Sequence, residues 1–256
     1  MNFLSLVCVE FKKIRRSKII LIMFIAAVIL WIPSIVNARL NFKMDDVGIS
    51  PENNYMIQGF LGMAWFMFPA SMIVGIVLLN QTERGNRGII KMLSLPVSTV
   101  KLCLAKFTVL LSLAAFQVLI LTIMYYASAA ITSRIQDYNF ILPPLFVFKE
   151  AGLFFLAAIP MIAVFWLLSV FIQTPVFSIG TGFASIVPSV LMINTKIWFA
   201  YPMSYPLFII TYEYGKLADN MEASQPKLIP WIPVAAGITF VCIIISCLCF
   251  GQAERK

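Results

Sequence analysis

Few side chains in this sequence are equipped for chemistry. Histidine is absent, which removes the usual neutral-pH acid/base and the commonest metal ligand. The five cysteines, Cys8, Cys103, Cys242, Cys247 and Cys249, fit neither a zinc spacing nor a paired extracellular framework. They read as free thiols in apolar surroundings. The Asp45-Asp46 pair is a candidate carboxylate site, although a solvated loop accounts for it better. No serine within an apolar run has a base beside it, so an activated nucleophile lacks its partner. A phosphate cradle of the form G-x-x-x-x-G-K-[ST] is also missing. The nearest text, from Gly85 to Lys91, has the wrong spacing and no following Ser or Thr. The chemistry left to this chain is that of surfaces and helix packing.

The elements that must present those surfaces are membrane spans. Of 256 residues, 61% are hydrophobic and 12% charged, with a mean hydropathy of +0.93. Soluble domains run about 45–50% apolar and about 25% charged, and lipid is the solvent that accepts the difference. Six runs approach the ~20 residues a spanning helix needs: 19–36, 56–79, 107–131, 151–172, 176–193 and 229–250. None contains Asp, Glu, Lys or Arg. The first is too long for a typical signal-peptide core and follows a long basic segment, and reads as an uncleaved span. The expected fold is all-α, one transmembrane domain of six helices over residues 1–256.

The net charge of +8 raises the question of nucleic acid. The basic residues flank the apolar runs, however, so membrane topology explains them without such a partner. One set of flanks holds Lys12, Lys13, Arg15, Arg16, Lys18, Arg84, Arg87, Lys91, Lys101, Lys106, Arg255 and Lys256, twelve cations against three acids. The opposite loops hold seven cations against eight acids. An excess of cations marks the cytoplasmic side, so both termini are expected in the cytoplasm.

Other stretches carry two readings each. Residues 1–18 form an amphipathic helix with Phe3, Leu4, Val7, Phe11 and Ile14 on one face and Glu10, Lys12, Lys13 and Arg16 largely off it. It is either an interfacial helix on anionic lipid or a plain topology signal. Residues 197–210 are apolar and aromatic but broken by Pro202 and Pro206. A re-entrant outer hairpin fits, with Trp198, Tyr201 and Tyr205 at headgroup depth; a seventh span would require longer unbroken pieces. Ser178, Gly182, Ser185 and Ser189 form a small-residue stripe, either a subunit interface or packing within one subunit. Gln58 and Gln117 either line a substrate path, together with the hairpin aromatics, or bond helix to helix. Pro33, Pro69, Pro160 and Pro188 fall inside spans and are expected to kink them.

The loop at 81–99 is the most informative stretch. Ile89, Ile90, Met92 and Leu93 place apolar groups on a short helix that Lys91 interrupts and Pro96 stops. Such a helix suits a partner's groove, or rests on lipid headgroups. Glu83, the Gly85–Gly88 turn, the Met92-Leu93 pair and Leu95-Pro96-Val97-Ser98 resemble the coupling region of ABC-2 family permeases. One departure is Ile89 after Gly88, where that family often has Thr. The layout of nearly the whole chain is similar too. Its length resembles that of the small permeases of lantibiotic immunity and peptide-antibiotic resistance.

The resemblance implies that Glu83, Arg87, Ile90, Met92, Leu93, Leu95 and Pro96 dock into an ATP-binding subunit. ATP and Mg are then bound by that partner, with no cofactor in this chain. It also implies a second permease subunit, the same or homologous, a bacterial plasma-membrane location and an amphiphilic peptide substrate. A proton-driven carrier is disfavoured by the absence of acids from the spans, and an integral-membrane enzyme by the missing catalytic groups. A membrane anchor or sensing subunit, or an exporter of another lipid-like substrate, remains the alternative.

Overall fold

A computed structural model of the chain describes residues 2–14, 17–43, 48–84, 98–218 and 228–253. Among them every regular element is helical. In chain order these are α1 (Phe3–Ile14), α2 (Ile19–Val36), α3 (Pro51–Gly62), α4 (Phe68–Arg84), α5 (Thr99–Gln136), α6 (Pro144–Phe171), α7 (Pro175–Met192), α8 (Tyr205–Leu217) and α9 (Leu228–Ala253). A wide π-helical turn, Met63–Met67, fuses α3 and α4 into one rod. Arg15, Arg16, the Asp45-Asp46 pair and the loop at 85–97 lie outside the described residues.

Six stretches are long and apolar enough to cross a bilayer: α2, the α3–α4 rod, α5, α6, α7 and α9. A helix satisfies its backbone polar groups within one segment, which lipid demands of any spanning structure. α8 has 13 residues, below the spanning length, so the proline-broken segment adds no seventh crossing. The π turn has a local cause. Pro69 has no amide hydrogen to give to the preceding turn, and the amide of Phe68 reaches back five residues to the carbonyl of Met63.

Helices outrun the apolar stretches that announce them. α5 begins eight residues before 107 and includes Lys101 and Lys106. α6 begins seven residues before 151 and includes Lys149 and Glu150. The expectation that these four charges lie in loops is corrected: hydropathy marks the lipid-matched window, whereas helical hydrogen bonding continues beyond it.

α1 packs mainly on α5, and its faces differ from the expected ones. Leu6, Glu10 and Ile14 are buried, while Phe3, Leu4 and Phe11 are exposed. Glu10 therefore belongs to the protein-facing side, and three of the five apolar residues expected to share one face point outward. Lys106 explains this arrangement. Its ammonium lies 3.0 Å from Glu10 Oε2, Lys13 donates to Glu10 Oε1, and both Glu10 and Lys106 are buried. A buried charge is tolerated only when paired and hydrogen-bonded.

At the opposite end, which we call distal, Trp31 of α2 stacks on Tyr55 with ring centroids 5.7 Å apart and meets Tyr125 at 5.6 Å. Tyr125 donates to the carbonyl of Phe140 at 2.9 Å and accepts from the amide of Leu142 at 3.1 Å, tying the α5–α6 connection to the core. Gly59 lets Trp31 in: a Cβ there would lie 2.2 Å from the indole.

Two predictions follow from these contacts. Gly59→Ala should cost about 1–3 kcal/mol, read as a lower melting midpoint in detergent; an unchanged midpoint would refute the close approach. Lys106→Met should cost about 1–3 kcal/mol by leaving Glu10 Oε2 buried without its partner, Lys13 still holding Oε1. Adding Glu10→Leu should recover much of that loss, whereas additive losses would show that the two residues are not coupled.

Candidate functional site

Of the residues expected to meet an ATPase, Arg87, Ile90, Met92, Leu93, Leu95 and Pro96 lie outside the described residues. Glu83 falls in the last turn of α4, where the backbone alone is described. The site that can be built atom by atom is at the distal end, between α6, α8 and α9.

These helices border an open cavity of about 580 Å³, within the roughly 300–1,000 Å³ range of small-molecule sites. The wall from α6 repeats at helical spacing through Glu150, Leu153, Ala157 and Pro160. α8 contributes Tyr205, Ile209, Tyr212 and Glu213, again one helical face. α9 closes it with Trp231, Ala235, Thr239 and Phe240. The lining is almost entirely apolar. Its charged members are Glu150 and Glu213, exposed by only 1% and 3%.

An aromatic cluster supports one wall. Trp198 stacks on Phe208 at 3.6 Å and 11° and meets Trp231 at 5.3 Å. Tyr205 sits edge-on to Trp231 at 5.8 Å and donates to the carbonyl of Phe199. Burial pushes the Tyr205 phenol up to about 12, so it stays a neutral donor at physiological pH. Tyr201 donates to the backbone carbonyl of Ser185, which pins the segment before α8 to α7.

The residues expected on a substrate path thus divide. Tyr205 lines the cavity, Trp198 braces it and Tyr201 anchors the chain leading into it. Gln58 lies elsewhere, exposed beside Asn54 in a separate cleft of about 430 Å³ that also borders α2. Gln117 is buried and donates to Ser71 of α4, so it serves helix bonding rather than the cavity.

The small-residue stripe is also placed. Ser178, Gly182 and Ser189 are buried and Ser185 is half-buried. α7 packs on α4, and a Cβ on Gly182 would come within 2.8 Å of Ile73. That face packs within the chain at Ser178, Gly182 and Ser189, with Ser185 at its half-buried edge. Val176, Phe177, Val187 and Leu191 form the exposed side of α7 instead.

A family model described as ABC-2 family transporter protein matches residues 6–189. The chain belongs to the ABC-2 transporter family. No curated protein and no solved structure matches it. As a member of that family the chain is a multi-pass transmembrane permease subunit of an ABC transporter, and the family implies an ATP-binding partner. The matched stretch runs from α1 to the last turns of α7. It holds the α6 wall of the cavity, while the α8 and α9 walls follow it in the chain.

Glu150, Glu213 and Trp231 were not singled out by sequence reasoning. The signal was present at 205, 209 and 213, one helical face in a segment whose two prolines made it look irregular. Tyr201→Phe should release the anchor on Ser185, at a cost of about 0.5–1.5 kcal/mol. Amide hydrogen exchange across residues 198–205 should then quicken, and unchanged protection would show that the anchor carries no weight.

Proposed function

We propose that this ABC-2 permease subunit serves an exporter that removes an amphiphilic antimicrobial peptide from the membrane, as in lantibiotic self-immunity or resistance. The observation that carries the reading is the distal cavity: an apolar cleft whose lining includes aromatic and acidic groups, in a transporter subunit. An amphiphile needs both kinds of surface. Cations concentrated on the flanks at the opposite end of the bundle favour a topology with both termini in the cytoplasm, which puts the cavity toward the outer leaflet of a bacterial plasma membrane.

In this reading α1 lies at the cytoplasmic interface with Phe3, Leu4 and Phe11 toward lipid. The segment at 197–217 is the re-entrant outer hairpin. A second permease subunit, the same or homologous, completes the membrane part. Two ATPase subunits, which hold ATP and Mg, grip the loop from Glu83 to Thr99, and their closure rocks the spans. α4 leads directly into that loop, and its Asn80 donates to Ser169 of α6. Motion of the loop therefore has a bonded route into the helix that forms one cavity wall.

The test is a reconstituted assembly of this chain with its ATPase. Glu83→Lys and Leu93→Asp should uncouple ATP hydrolysis from peptide efflux while leaving membrane insertion intact. Unchanged resistance together with unchanged co-purification of the ATPase would overturn the coupling assignment. Peptide resistance without any ATP-driven efflux would favour a sensing or anchoring subunit.

A further inference from the structure

The distal cavity contains an unsatisfied group. Glu150 is 1% exposed, lines the cavity, and neither of its carboxylate oxygens takes a hydrogen bond. Buried carboxylates normally find partners, because desolvation without compensation is costly. The nearest cation, Lys149 Nζ, stands 3.4 Å from Oε1. Glu213, buried on α8, interacts electrostatically with Glu150 across the cavity end. Its own cation is Lys216, at 3.3 Å. Both lysine side chains are half in solvent, and neither lines the cavity.

The rest of the lining fits the same kind of ligand. Tyr205 and Trp231 present aromatic rings to the same cavity, surfaces that attract cations. Leu156, Ile209 and Phe240 add apolar wall. A neutral lipid tail would leave Glu150 without a partner, and an anionic amphiphile would add a third negative charge.

We propose that this cavity is a binding site for a cationic amphiphile, whose ammonium or guanidinium head sits between Glu150 and Glu213 and whose apolar portion fills the cleft between α6, α8 and α9. The volume admits one head and one chain or side-chain cluster rather than a whole folded peptide, so a peptide engages it through a single cationic–apolar segment. The proposal rests on the export reading only for the ligand's origin; the binding itself needs no transport.

The experiment uses the full chain in nanodiscs of zwitterionic lipid and three probes of equal length: dodecylamine, dodecanol and dodecanoate. Dodecylamine should raise the melting midpoint saturably, and the other two should not. Glu150→Gln and Glu213→Gln should each weaken dodecylamine binding by at least about tenfold, since a charged hydrogen bond is lost. Ile209→Trp, which fills the cleft and keeps both acids, should abolish it. Melting of the ligand-free variants separates misfolding from lost affinity. Equal stabilisation by dodecanol, or undiminished affinity in both glutamine variants, overturns the proposal. ATP-driven peptide efflux is measured in parallel. Efflux without amine binding sinks the site but spares the export function, and amine binding without efflux does the reverse.

Discussion

In a chain this apolar, any charge that leaves water must find its counter-charge inside the fold. That requirement organises both ends of the bundle. At the proximal end it is met: Glu10 and Lys106 pair across 96 residues of sequence, and α1 is thereby fastened to the start of α5. At the distal end it is met only in part. Glu213 is held by Lys216, while Glu150 is buried without a hydrogen bond. Glu150 keeps only an ion pair with the half-exposed Lys149, and a buried carboxylate so weakly paired favours an added cation.

The scaffold between these ends consists of close helix approaches. Lipid supplies no hydrophobic drive to bring helices together, so packing and a few interhelical hydrogen bonds must do it. Gly59 admits Trp31, and Gly182 admits Ile73. Gln117 bonds Ser71, and Asn80 bonds Ser169. These contacts tie the α3–α4 rod to four other spans, α2, α5, α6 and α7. The rod ends at the loop that resembles the coupling region and packs beside the helix that lines the cavity, so it is placed, like α5 on the loop's other side, to relate the two.

The class of fold was legible because its signal is long-range and redundant. Spans of about twenty apolar residues without charge have no soluble reading, and the loop from Glu83 to Ser98 bore the family's pattern in consecutive residues. The stripe at Ser178, Gly182, Ser185 and Ser189 was legible as a packing face but not as to which neighbour it meets. Glu10 was assigned to the wrong side of α1, since an amphipathic pattern sorts polar from apolar and cannot foresee that a partner charge will make burial the better place.

The sequence by itself determined that this protein lives in a membrane, is built of helices and belongs among ABC-2 permease subunits, since hydropathy, helix length and a contiguous motif are properties of single segments. The tertiary structure decided which charges pair, which small residues face the chain's own helices, and that Glu150, Glu213, Tyr205 and Trp231 share one cavity. Those facts depend on helix rotation and neighbour choice. Where nearly every face is apolar, segment composition carries almost no information about either.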